Sequence, residues 1–163
     1  MAQLRLIVAL ALVAACRQTA EAAPATTLAV PATWHALPRL VDAFAATSLD
    51  HVEAWGEPAM GCYAVSLALL GEGAAPDVVG QQALDAIAAE PGLAGIAVSD
   101  VVKPAAGADR GTLAFAFARG AYRGRVRAAL AADGQATAIA CYWNDREPAA
   151  CEAACTQLLG SAK

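Results

Sequence analysis

Residues 111–143 read GTLAFAFARGAYRGRVRAALAADGQATAIACYW, and three runs of alternating side chains follow one another within them. The runs extend from Gly111 to Arg119, from Tyr122 to Ala131 and from Ala136 to Trp143. A period of two sends successive side chains to opposite faces of a strand. The joints are short: Arg119-Gly120-Ala121-Tyr122 and Ala132-Asp133-Gly134-Gln135 both suit hairpins, Asp-Gly being a strong turn signal. Three strands joined by two tight turns make an antiparallel meander. On this reading Leu113, Phe115 and Phe117, then Tyr122, Val126 and Leu130, then Ile139, Cys141 and Trp143 are three rows facing one core.

After the meander, Pro148 to Leu159 predicts a helix with Cys151, Cys155, Leu158 and Leu159 at i, i+4, i+7 and i+8, one apolar face that could close the same core. Before it, Ile96 to Lys103 reads as a strand. A helix is predicted from Pro76 and Asp77 to about Glu90, where Pro91-Gly92 stops it; Val79, Ala83, Ala86 and Ile87 form its buried stripe. Cys62 to Leu69 alternates, with Tyr63, Val65, Leu67 and Leu69 on one face, and His51 to Trp55 is a shorter strand. Leu37, Leu40, Val41 and Phe44 have helical spacing over Pro38 to Thr47, and Leu28-Ala29-Val30-Pro31 suits a short edge strand. The order predicts an α+β fold: an antiparallel sheet with a C-terminal three-strand meander, packed by a central helix and a C-terminal helix. Residues 28–163 are expected to be one domain. Much of the 58% hydrophobic content is alanine and aromatics are only 6%, so Trp34, Trp55, Phe115, Phe117 and Trp143 are the expected anchors.

Two further segments carry a family resemblance. Leu28-Ala29-Val30-Pro31-Ala32-Thr33-Trp34 resembles the opening strand of PsbP/Mog1/DcrB-like proteins, and Leu158-Leu159-Gly160-Ser161 resembles their closing helix. The resemblance implies a non-enzymatic accessory or binding domain of an exported kind. The four cysteines of the domain and the helix after Trp34 depart from that pattern.

The N-terminus gives an address. Met1 to Arg5 is a short basic start, Leu6 to Leu12 is apolar, and Val13-Ala14-Ala15-Cys16 resembles a bacterial lipobox. Residues 1–15 are then a signal peptide, Cys16 is the lipidated first residue of the mature chain, and 16–27 forms a flexible tether rich in Ala, Thr and Pro. Fully extended, Arg17 to Thr26 spans at most ~35 Å. Val13-x-Ala15 and Ala20-Glu21-Ala22 also satisfy an ordinary signal peptidase. The apolar run falls well short of the ~20 residues of a membrane span. Membrane attachment is therefore expected through lipid, with the outer membrane favoured because Arg17 stands where aspartate favours inner-membrane retention. Without Arg5, ten basic face fifteen acidic side chains, a formal charge of −5 that makes nucleic acid a poor partner.

Cys62, Cys141, Cys151 and Cys155 remain, an even number in an exported domain, which reads as two disulfides. Cys141 is expected to join Cys155 or Cys151 across the core, leaving the other for Cys62. Because Cys62 has the opposite parity to Tyr63, that second bridge is expected to need a bulge or a loose strand end. Zinc would want four ligands, whereas Cys151-x3-Cys155 is the one close pair and either histidine would have to come from far away, and redox chemistry would want a C-x-x-C. His35 and His51 lie outside any hydrolase signature, and Gly71-Glu72-Gly73 lacks the third glycine of a dinucleotide fingerprint. No metal or cofactor is expected.

Arg123, Arg125 and Arg127, with Arg119 nearby, are the one concentrated charge feature. They share a sheet face, expected to be solvated, where their stems cover Ala114, Ala116 and Ala118; the alternative is a binding patch for an anionic ligand or acidic envelope partner. Asn144 to Glu147 suits a capping loop. These readings converge on an exported, lipid-anchored envelope protein with a disulfide-braced, non-catalytic binding or accessory domain. The alternative is a lipid-anchored enzyme of unrecognised type, hydrolytic in class, using a histidine or carboxylates in a cleft near Trp34.

Overall fold

The computed structural model of the chain describes residues 28–44, 51–70, 74–89 and 95–161. Cys16, the signal segment and the tether lie outside them. So do residues 45–47, the end of the first predicted helix.

The meander forms as β5 (Arg110–Arg119), β6 (Tyr122–Ala131) and β7 (Gln135–Trp143), with Gly134 at φ 83° in the Asp-Gly turn, a backbone that favours glycine. Two further strands, β2 (His51–Glu57) and β3 (Cys62–Leu70), make an N-terminal hairpin, and β3 pairs with β7. The outer strands are β1 (His35–Ala36) beside β2 and β4 (Ala97–Val102) beside β5. The result is a seven-stranded sheet in the order β1-β2-β3-β7-β6-β5-β4, every neighbouring pair antiparallel. Leu28 to Pro31 is not an edge strand; that role falls to His35–Ala36. All six residues of β4 are exposed, and a register shift between Ser99 and Val102, with Asp100 at φ 52°, kinks this edge in the way native sheets discourage further pairing.

Helix α1 (Pro38–Phe44) follows β1, α2 (Pro76–Ala89) carries the chain from β3 across the sheet toward β4, and α3 (Pro148–Ser161) closes the domain. The sheet is packed on both faces, which corrects the single core expected from the strand rows. On one face Val65, Leu67, Leu113, Phe115, Phe117, Val126, Ala128, Leu130, Ala138 and Ala140 are buried together, with Leu37 just before α1, Leu40 and Val41 from α1, and Val79, Ala83 and Leu84 from α2. On the other, Cys62, Ala64, Ile139, Cys141 and Trp143 meet Cys151, Cys155, Leu158 and Leu159 of α3, together with Trp34.

The cause is the register of the last hairpin. Leu130 lies opposite Ala136, Ala128 opposite Ala138 and Val126 opposite Ala140, so the alanines of β7 continue the α2-side row. Ile139, Cys141 and Trp143, the bulkier set, are left on the α3 side. Gly124 completes the first core by absence: a Cβ there would stand 2.4 Å from Cζ of Phe117 and 2.7 Å from the Cys141 carbonyl oxygen. The ring of Phe117 fills the space that any side chain at 124 would need.

Candidate functional site

Helix α3 is the element that shapes the functional face. Two disulfides, Cys62–Cys151 and Cys141–Cys155, clamp it to β3 and β7 with Cα–Cα separations of 5.3 and 5.6 Å. All four cysteines are fully buried. No bulge brings Cys62 there, contrary to expectation. Cys62 lies opposite Trp143 and Ala64 opposite Cys141, so both cysteines of the sheet already face α3 in regular register.

The same parity puts Arg123, Arg125 and Arg127 on the α3 face, opposite Trp143, Cys141 and Ile139 of β7 and opposite Ala118, Ala116 and Ala114 of β5. The open, solvated face predicted for them is therefore corrected: the alanine neighbours are as expected, but a helix runs alongside. Arg127 Nη1 donates to the Leu159 carbonyl oxygen at 3.2 Å, satisfying an acceptor in the last turn of α3, where a cation also complements the helix dipole. Arg125 is paired with the Glu152 carboxylate and donates to Thr156 Oγ1 at 3.3 Å. Glu152 and Thr156 stand four residues apart on one helix face, within reach of a single guanidinium. Arg123, the next in the row, is exposed and has no hydrogen-bond or ion-pair partner among the described residues. Arg119 lies at the end of β5 against Tyr122.

Beyond α3 the sheet continues uncovered, and a cleft of about 490 Å³ opens there. Ala116 and Ala118 form its floor, Ser99 its outer side, and Arg123, Arg125, Trp143, Asp145, Pro148 and Glu152 its inner wall. The sequence does not single out Ser99 or Glu152, and Asp145 stands out in it only as part of the loop Asn144 to Glu147. The cleft exists because α3 lies on the arginine face, and that placement depends on hairpin register.

An exchange of Arg125 for Gln is expected to change stability by less than about 1 kcal/mol, since both partners of its ion pair are roughly half exposed. Arg127→Gln, which strips a carbonyl partner from a partly buried helix end, is expected to cost about 0.5–1.5 kcal/mol. Urea unfolding of the two variants checks that order.

Elsewhere the described residues hold other groups apart. His35 Nε2 lies 3.8 Å from Glu57 and His51 Nε2 3.2 Å from Glu53, each histidine exposed on the β1–β2 side of the sheet. Trp34, expected beside a cleft, is a core residue under α3. Asn144 Oδ1 accepts from the Arg146 amide at 3.1 Å, ordering the turn into α3. All three tyrosines of the chain gather on the α2 face, Tyr63 stacked on Tyr142 at 5.1 Å and Tyr122 tilted against it at 6.3 Å. Burial pushes the Tyr142 phenol far above its ordinary range and raises that of Tyr63, so both stay protonated and packed. No group of three or more potential metal-ligating His, Cys, Asp or Glu side chains occurs among the described residues, and no described helix is long and apolar enough to cross a membrane.

No protein-family model matches the sequence, and no curated protein matches it. Among solved structures the chain is similar to LpqN of Mycobacterium tuberculosis, a protein involved in cell envelope biogenesis. The match has 16% sequence identity and a TM-score of 0.47, and it covers 82% of this chain and 79% of that one.

Proposed function

We propose that this chain is an exported, lipid-anchored protein of the cell envelope whose disulfide-braced domain acts by binding, without chemistry of its own, and that the cleft beside α3 is its binding site. The observation that carries the reading is the pair of buried disulfides between the sheet and α3. Bridges of this kind persist in oxidising compartments and are rare where thiols are kept reduced. A chain that relies on two of them to hold a helix over its second core is suited to export, and Val13-Ala14-Ala15-Cys16 supplies the route. The anchor at Cys16 and the outer-membrane preference drawn from Arg17 belong to the same proposal. So does the likeness to PsbP/Mog1/DcrB-like accessory domains at Leu28 to Trp34. The described cleft offers two guanidinium groups, two carboxylates and a hydroxyl over an alanine floor, a set suited to recognition.

Cys16→Ser tests the address. The variant is expected to be exported yet recovered in the soluble envelope fraction, without incorporation of labelled palmitate, because two or more acyl chains are what hold such a protein stably on a membrane. Membrane fractionation unchanged from wild type would reject the lipid anchor.

A further inference from the structure

We propose that the cleft beside α3 holds a single anionic amphiphile, with its phosphate or carboxylate head at Arg123 and its apolar body along the alanine lane of β5. The inference rests on the reading of this cleft as the binding site and adds the class of ligand.

The α3-facing side of β5 and β6 has an unusual composition. Paired across the two strands are Arg110 with Ala131, Thr112 with Ala129, Ala114 with Arg127, Ala116 with Arg125 and Ala118 with Arg123. Every charged position is therefore an arginine, and all the rest but one are alanine. β4 extends the floor with Ser99 and with Val102, which is 56% exposed. Helix α3 packs on β7 and the adjoining part of β6, and among the described residues no helix covers β5 and β4 on this side. What remains is a shelf of about two strand spacings, roughly 10 Å across, with a smooth apolar floor.

The charges around the shelf are not equivalent. Arg127 and Arg125 are engaged by α3, and Glu152 is neutralised by Arg125. Arg123 has no hydrogen-bond or ion-pair partner for its side chain among the described residues, so its guanidinium presents donors to whatever enters the cleft. A small inorganic anion would meet Arg123 and leave the alanine floor wet. An uncharged apolar molecule would cover the floor and leave the guanidinium unused. A molecule with both parts satisfies both, and about 490 Å³ is within the usual range for a small-molecule site. Pro148 and Glu152 of α3 wall this floor on one side, which suits a molecule lying in the cleft better than a flat bilayer. The occupant is thus a monomer in the cleft and not a membrane surface. Asp145 on the same wall is an opposing charge that lowers affinity for any anion.

The test uses the exported full chain carrying Cys16→Ser, so that no attached lipid competes, and octyl phosphate below its aggregation limit as probe. Titration calorimetry is expected to show saturable binding that weakens with added salt. Arg123→Gln should reduce affinity about tenfold, the scale of one charge-assisted hydrogen bond, while Asp145→Asn should increase it. Inorganic phosphate and octanol should each bind more weakly than octyl phosphate. Affinity unaffected by Arg123→Gln, equal binding of inorganic phosphate, or weaker binding in Asp145→Asn would each overturn the proposal. Arg123-dependent sedimentation with anionic phospholipid vesicles, in the absence of octyl phosphate binding, would overturn it in favour of a membrane surface. None of these outcomes bears on Cys16, whose fractionation and palmitate labelling decide the anchor separately.

Discussion

Replacing Cys62 and Cys151 together by alanine is expected to lower unfolding free energy by about 4.5 kcal/mol, and replacing Cys141 and Cys155 by about 3 kcal/mol. The difference follows from the lengths of chain that the bridges close, 89 residues of separation in the first case and 14 in the second. A longer closed loop removes more freedom from the unfolded chain, with logarithmic dependence. Both losses are large against the ~5–15 kcal/mol total stability of a typical domain. They also weaken the same structure, since Leu158, Leu159, Ile139 and Trp143 stay buried only while α3 is docked. Urea unfolding of the two double variants checks the ranking. A greater loss for the Cys141/Cys155 variant would show that native packing around α3, and not loop closure, dominates.

Phe115→Ala is expected to cost about 3–5 kcal/mol, the usual range for emptying a large aromatic site in a core. Phe115 is 4% exposed, lies opposite Val126 and belongs to the α2-side core, while both disulfides lie on the other face. Distant sites with no shared partners add nearly independently. Phe115→Ala combined with the loss of Cys141 and Cys155 should therefore give the sum of the separate effects to within about 0.5 kcal/mol. A coupling of 2 kcal/mol or so would mean that the sheet transmits strain between its faces and that the two cores behave as one. Thermal unfolding of the single and combined variants measures it.

Strand identity was legible in the sequence because alternation within a strand is a local property. β5 to β7 begin or end within one residue of the positions that periodicity predicts, and β6 coincides with them. Relating one strand's faces to those of the next is a different matter, since the turn between them sets it. Through Arg119 opposite Tyr122, the β5–β6 turn joins Phe115 and Phe117 to the row of Val126, and size alone suggests the same match. At the β6–β7 turn size misleads: the larger residues Ile139, Cys141 and Trp143 suggest the buried row, while the register brings Ala136, Ala138 and Ala140 to that face. One misassigned hairpin moved α3 to the wrong side and with it the surroundings of the arginines. Arg123, Arg125 and Arg127 stand out in sequence as a charge feature. Their engagement with Glu152, Thr156 and the Leu159 carbonyl could not be read there, because the partners come from a helix whose sheet face the alternation does not specify.

The two disulfides interleave along the chain: Cys141 falls inside the segment closed by Cys62 and Cys151, and Cys155 falls outside it. Of the three ways to join four cysteines, this is the only one in which the links cross. Nested or side-by-side arrangements would let one loop close and then ignore the other. Here neither bridge is indifferent to the other, because both need α3 seated at the same depth against the sheet. During synthesis Cys62 must wait for its partner 89 residues downstream, and the three C-terminal cysteines arrive almost together, so proximity in the unfolded chain favours pairings among those three, of which only Cys141 with Cys155 is native. Correct oxidation is therefore a proofreading problem. A non-native bridge from Cys151 to Cys141 or Cys155 can be resolved by thiol–disulfide exchange, and the long Cys62–Cys151 link is the one that separation along the chain disfavours.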